Sequence, residues 1–214
     1  MRIVAGVDGC PRGWVAAVWG PEGVEWRVTP PSFRALLAAL PDAERTAVDV
    51  PIGMPDRDPR SCDLAARTAL GAGRSSVFVV PPRVVLEAPT YAEACVVSRG
   101  LSGKAISIQT WNIGNRVLDA TDSADERTVE AHPEVSFLRL AGRPLPSKKT
   151  AAGLGARLVA LAPVFGDVAA LVSECPSPAT ADDALDALAC AWTARRVLDG
   201  TAEYLGDDSA TIAS

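Results

Sequence analysis

Apolar positions recur with helical period through residues 180–198. Leu185, Leu188, Ala189 and Trp192 fall at i, i+3, i+4 and i+7, one buried face of a helix. Thr180 is the expected N-cap; Asp182 and Asp183 stand in the first turn and Arg195 and Arg196 in the last, as the helix dipole favours. At the other end of the chain the pattern is that of strands. Residues 2–8, 14–19 and 24–28 are short apolar runs separated by glycine and proline turns, which predicts a three-strand antiparallel meander. Ser32 then opens a helix to about Leu40, with Phe33, Leu36, Leu37 and Leu40 on one face. A fourth strand at 46–50, reached through that helix, and a fifth at 128–132 complete the pattern. The order predicts an α/β fold: a mixed sheet, antiparallel then parallel, flanked by helices.

Residues 56–110 fit this scheme less well. A charged loop (56–60) precedes a helix at 61–70, a Gly/Ser turn at 71–76, a β-rich run at 77–80 stopped by Pro81 and Pro82, and a helix near 90–98. The stretch is short for an independent core and reads as an inserted subdomain bordering the site. Helices follow at 107–119, 135–140, 150–161 and 167–173. The expected organisation is one domain over 1–200 carrying this insertion, with 201–214 a flexible C-terminal tail.

Composition narrows the picture. The 214 residues suit one large domain, and 48% hydrophobic with 22% charged residues is ordinary for a soluble globular protein. No run reaches the ~18 apolar residues of a membrane span, and the first residues read as a strand, so no membrane partner and a cytoplasmic location are expected. A net charge of −5 argues against a strong grip on long duplexes, while leaving room for a local basic groove or a small phosphorylated substrate. Cys10, Cys62, Cys95, Cys175 and Cys190 form no CxxC pair, and His132 is the single histidine. The usual zinc sites are therefore excluded, and the cysteines are assigned to packing.

The candidate chemistry lies in the acids. Asp8 ends the first strand, Asp49 lies within the fourth, Glu130 within the fifth, and Asp183 and Asp186 open the last helix. Asp8 could be a turn former before Gly9, and Asp183 could close a capping box with Thr180. Asp186 is too deep in its helix for either role, and Asp49 in an apolar strand needs a partner. Glu130 and His132, two apart on a strand, face the same way and could act as a ligand or a general base; a structural Glu–His hydrogen bond is the alternative. Carboxylates converging from several elements repel one another unless a hard cation joins them, which points to Mg²⁺ or Mn²⁺. Two such ions about 3.5–4 Å apart can drive phosphodiester hydrolysis. Arg12, Arg74 beside Ser75, Lys148 and Lys149 could bind a phosphate of the substrate or be solvated surface charges. The five tryptophans could stack bases, but core packing is the favoured reading for them.

Val7–Trp14, Val48–Gly53, Cys62-Asp63, Ser75–Phe78, Glu130–Phe137 and Asp183–Ala189 together resemble the domain of unknown function 429 family, predicted nucleases of the ribonuclease H-like superfamily. The Asp183/Asp186 pair is similar to the final helix of RuvC-type junction resolvases. The resemblance implies an RNase H-like fold and a Mg²⁺- or Mn²⁺-dependent nuclease. It assigns Asp8 and Asp49 as first and second acids, completes the metal site with Asp183 and Asp186, and suggests a homodimer acting on nucleic acid. Glu130 and His132 have no RuvC counterpart. Two rival readings stand beside it. An actin- or sugar-kinase-like ATP site lacks a second glycine-rich turn and the necessary length. A binding protein could retain the fold and its metal without turnover, recognising nucleic acid through 56–110.

Overall fold

In the computed structural model, which describes residues 2–207 and 210–214, the meander is formed by β1 (Val4–Cys10), β2 (Gly13–Gly20) and β3 (Gly23–Thr29). The chain crosses through α1 (Phe33–Ala38) to β4 (Arg45–Val48), and β5 (Thr128–Glu130) completes a five-stranded sheet of order β3-β2-β1-β4-β5. β1 runs antiparallel to β2 and parallel to β4, and β5 is parallel to β4. This α/β architecture is the one anticipated, and it is consistent with an RNase H-like fold. Between β4 and β5 lie α2 (Ser61–Leu70), α3 (Arg83–Leu86), α4 (Tyr91–Ser102) and α5 (Ile108–Ser123). After β5 come α6 (Pro133–Ala141), α7 (Ala151–Phe165), α8 (Val168–Ser173) and α9 (Ala181–Leu198).

Helices cover both faces of the sheet, so β1 alternates between two cores. Ala5 and Val7 pack with Phe33 and Leu36 of α1 and Val117 and Ala120 of α5. On the other face Val4 packs with Cys190 and Ala194 of α9. Gly6 brings that helix close: a Cβ there would sit 1.9 Å from the Ala191 nitrogen and 2.1 Å from the Ala187 carbonyl oxygen. The one buried face expected for α9 proves too narrow. Ala184 through Ala191, with Thr193 and Ala194, are all buried, because α9 lies between the sheet and α6–α8. A helix apolar around its circumference is an interior helix, and its alanines permit the close approach. The five cysteines are free, four buried and Cys175 half-buried, in keeping with packing roles.

Two expectations are corrected. Residues 77–80 form no strand; the Val80 N–H donates to Asp63 (2.9 Å) and the Val77 carbonyl accepts from Arg67 (3.0 Å), so side chains satisfy this backbone in place of a ladder. The C-terminal residues are not a free tail. β6 (Tyr204–Asp207) and β7 (Ala210–Ala213) pair as a hairpin, with Ile212, Ala213 and Ser214 buried. Ile212 packs with Cys62, Ala66 and Leu70 of α2 and with Val135, so apolar burial holds the segment. Asp208 and Ser209, part of the expected tail, lie outside the described residues. Among the described residues no helix is long and apolar enough to cross a membrane.

Candidate metal centre

The sheet brings the first two acids together by register. Val7 of β1 stands opposite Val48 of the parallel β4, so Asp8 and Asp49 follow at the same C-terminal edge, where the Asp49 N–H donates to the Val7 carbonyl (2.9 Å). Ligands of open α/β sheets bind at such edges. The close contact of Gly6 with Ala187 and Ala191 draws α9 against β1 and carries Asp186 to the same place. One carboxylate oxygen from each of Asp8, Asp49 and Asp186 lies within 4.8 Å of the other two, a group that could hold a metal ion.

Their partners are few. Asp8 Oδ1 accepts the Gly9 N–H (2.6 Å), and Asp186 Oδ2 accepts Lys148 Nζ (2.7 Å). Asp186 Oδ1 is buried with no hydrogen-bond partner, a lone pair that calls for a cation. Burial, followed by the charges of Asp49, Asp186 and Asp183, pushes the Asp8 carboxyl well above its usual range, against the Gly9 N–H. Asp49 is raised by burial and by Glu134, with His132 and Lys148 opposing. Asp186 is pushed up to about 7, by burial first and then by Asp49 and Glu134, while Lys148 opposes.

A stability consequence follows from Asp186. Its folded value of about 7 exceeds the ~3.9 of an unfolded aspartate, so the folded chain binds the extra proton between these limits. Stability from this group is fully present below about pH 4 and is lost as pH rises through 7, by on the order of 4 kcal/mol at about 1.4 kcal/mol per unit. Relative to Asp186→Asn, the metal-free wild type is therefore expected to lose stability between about pH 5 and about pH 8 in urea titrations. A difference independent of pH would show that Asp186 titrates as an ordinary carboxyl.

The other expected residues sort differently. Asp183 stands in the first turn of α9, where its Oδ2 accepts the Thr180 N–H (2.8 Å) and closes the capping box. Glu130 is neither a free base nor joined to His132. Arg60 grips it with two bonds (Nη1–Oε2 2.7 Å, Nη2–Oε1 2.8 Å), and the Ile52 N–H adds a third (2.7 Å). The same guanidinium bonds Asp63, and all three side chains are at most 6% exposed. Burial works against the Arg60 charge, yet the bonds and charges of Glu130 and Asp63 hold its pKa above the usual value. Cys62, Asp63 and Glu130 could also group about a metal by distance, but the Arg60 guanidinium already supplies the cation there.

His132 caps α6 and lines the cleft; its Nε2 lies 3.3 Å from the Ser76 carbonyl, so that nitrogen carries the proton and Nδ1 is left without a partner. Lys148 is half-buried on a loop fastened by the buried Arg157, which donates to the Pro146 carbonyl (2.9 Å) and to Glu134 (2.5 Å). Arg12, Arg74, Ser75 and Lys149 are exposed and lie outside the cleft lining. Trp14 is fully buried, edge-on to Phe33 at 5.5 Å, and so packs the core.

Sequence reasoning missed Arg60 and Asp63, Glu134 with Arg157, and Arg116. The signal for Arg60 was slight: an arginine three residues before an acid at a helix start, a spacing that also suits solvated pairs. The cluster opens into a cleft of about 330 Å³, lined among others by Asp8, Asp49, His132, Lys148, Asp186 and Arg116.

Comparison with known proteins gives one family. The model described as Protein of unknown function (DUF429) matches residues 6–211. No curated protein and no solved structure matches the chain.

Proposed function

The chain belongs to the DUF429 family, and from that premise we propose that it is a divalent-metal-dependent phosphodiester hydrolase using Mg²⁺ or Mn²⁺. The observation that carries the reading is the meeting of Asp8, Asp49 and Asp186 within 4.8 Å, with Asp186 Oδ1 buried and unpartnered. Local charge supports it. Lys148 neutralises Asp186, Arg157 neutralises Glu134, and Arg60 serves Asp63 and Glu130. Asp8 and Asp49 form no ion pair with a described residue, and two uncompensated negative charges match one divalent cation. An all-oxygen donor set suits the hard ions Mg²⁺ and Mn²⁺.

Such an ion, when bound, supplies Lewis-acid polarisation of a phosphoryl oxygen and a nucleophilic water at neutral pH. The residues would do the rest. Asp8 and Asp49 would hold the ion from the ends of β1 and β4, and Asp186 would complete the set from α9. Lys148 orients Asp186 and reduces its repulsion with the other two acids. His132, fixed through Nε2 by the Ser76 carbonyl, offers Nδ1 as a proton acceptor. Asp183 acts from a distance, by adding negative charge near Asp8 and by capping α9. Nucleic acid and a homodimer enter this reading through the superfamily alone.

Calorimetric titration with Mn²⁺ tests it, wild type against Asp8→Asn/Asp186→Asn, followed by a panel of single strands, duplexes, junctions and small phosphodiesters. The double variant is expected to lose at least about 10–100-fold in affinity, the loss that even an outer partner of a metal ligand produces. Cleavage that needs the same acids would establish the hydrolase. Binding without cleavage would make this a metal-holding recognition protein, and no binding would leave the acids with a structural role only.

A further inference from the structure

Among the described residues, the lysine and arginine side chains that line the cleft are Lys148 and Arg116, and the first is committed to a carboxylate. Lys148 serves Asp186, Arg157 serves Glu134, and Arg60 serves Asp63 and Glu130. Arg116 of α5 makes no ion pair with any described residue. Its Nη2 donates to the Cys10 carbonyl (2.6 Å) and, at longer range, to the Gly13 carbonyl (3.4 Å), and its guanidinium lies over the Trp14 ring at 5.4 Å. These contacts fix the group while Nη1 and Nε keep their N–H donors free of protein partners among the described residues. Nη1 lies directly beside residue 9, where a Cβ would come within 2.4 Å of it. Glycine at that position is what lets a fixed guanidinium reach the end of β1.

Strand alternation gives this placement its meaning. Successive residues of β1 face opposite sides, so Asp8 turns toward α9 and its partner acids while Gly9 turns toward α5 and Arg116. The tip of the strand therefore separates a negative pole, suited to a cation, from a preorganised donor fork suited to an anion. A phosphate at that tip would lie between the acids that would hold the ion and the Arg116 fork. Planar guanidinium forks are matched to such oxygens.

The cleft itself is of small-molecule size. Its volume of about 330 Å³ lies near the lower end of the ~300–1,000 Å³ common for small-molecule sites. Val77, Phe78, Ile113 and Ile212 give it an apolar wall, and Phe78 supplies an aromatic surface for a base. Arg12, Arg74 and Lys149 lie outside its lining, and the chain carries a net charge of −5. Duplex binding draws on many phosphate contacts at once.

We propose that Arg116 is the phosphate-binding residue of this cleft and that the ligand is a small phosphate ester of about one nucleotide, not a duplex. The inference rests on the hydrolase reading for the reaction, but its recognition half can be tested alone. The probes are thymidine 5′-monophosphate and thymidine, titrated into the full chain with and without Mn²⁺. The wild type is expected to prefer the phosphorylated form, and Arg116→Gln to reduce that preference at least about 10-fold, as loss of a charge-assisted fork does. Mn²⁺ affinity should stay within about 3-fold, since Arg116 is no ligand. Should Arg116→Gln fail to fold, Arg116→Lys keeps a cation without the fork and is expected to lose about 3-fold or more.

An unchanged preference in the substituted chain overturns the assignment of Arg116 and leaves the hydrolase reading intact. Tighter binding of a 20-base-pair duplex than of the nucleotide overturns the size limit. A preference that depends on Arg116 in a chain that binds no Mn²⁺ sustains the inference and removes the hydrolase reading. A wild type that binds neither probe nor metal sinks both.

Discussion

Asp8→Asn is expected to make the metal-free protein more stable near pH 8 while abolishing its response to Mn²⁺. Asp8 is 9% exposed and faces Asp49 and Asp186, with only the Gly9 N–H in compensation. The amide is isosteric and keeps an oxygen for that N–H, so the substitution removes charge repulsion and little else. The melting temperature should rise by about 2–4 °C for each kcal/mol of repulsion relieved in a chain of this size. In the wild type Mn²⁺ at about 100 times its Kd should add ~2.7 kcal/mol, hence about 5–11 °C, and this increment should vanish in the variant. Metal-dependent cleavage should fall with it, on the order of 10²–10³-fold. Thermal melts with and without Mn²⁺ decide the matter. A variant less stable than the wild type in the absence of metal would mean that Asp8 is a structural acid, and would contradict the site.

The second large effect lies outside the cluster. Arg60→Met should destabilise the chain by about 3–5 kcal/mol, because it strands two buried carboxylates. Arg60 is 5% exposed; besides Glu130 and Asp63 it bonds the Ile52 (3.1 Å) and Gly53 (3.2 Å) carbonyls. It therefore ties the loop after β4 to β5 and to the start of α2. Replacing all three charges, Arg60→Met with Asp63→Asn and Glu130→Gln, should restore much of the loss, since a removed ion pair costs less than a broken one. Urea denaturation measures both. A cost under about 1 kcal/mol for Arg60→Met would place the network among weakly contributing surface pairs. Mn²⁺ affinity of the surviving folded fraction should be unchanged, which separates this structural Glu130 from the acids proposed to hold the metal.

Much of the sheet was legible because its evidence is local. The apolar runs at 2–8, 14–19 and 24–28, separated by glycine and proline turns, correspond to the strands at 4–10, 13–20 and 23–29. Asp8, Asp49 and Asp186 stood out because a carboxylate in an apolar element is costly without a partner. The capping box of Thr180 and Asp183 was equally local and is present. The misses share the opposite character. Arg60 closes a charged loop and reads as solvated, but its partner Glu130 lies 70 residues away. Arg116 on α5 resembles any helix-surface charge until β1 is set beside it. The hairpin of β6 and β7 is made of two four-residue strands, and burial against α2 is what orders it.

The α/β order of elements, the mixed sheet and the candidate acids are all legible along the chain. Those follow from periodicity and from the free energy of burying a charge, which are properties of single segments. Which acids meet is settled by packing. Parallel register carries Asp8 and Asp49 to one edge, and the bare backbone of Gly6 lets α9 deliver Asp186 to it. Packing also sets Glu130 against Arg60 and brings Arg116 into the cleft lining without an ion pair among the described residues. The reason is physical: a Coulomb interaction or a hydrogen bond depends on distance through space, and residues far apart along the chain acquire that distance only when the chain packs.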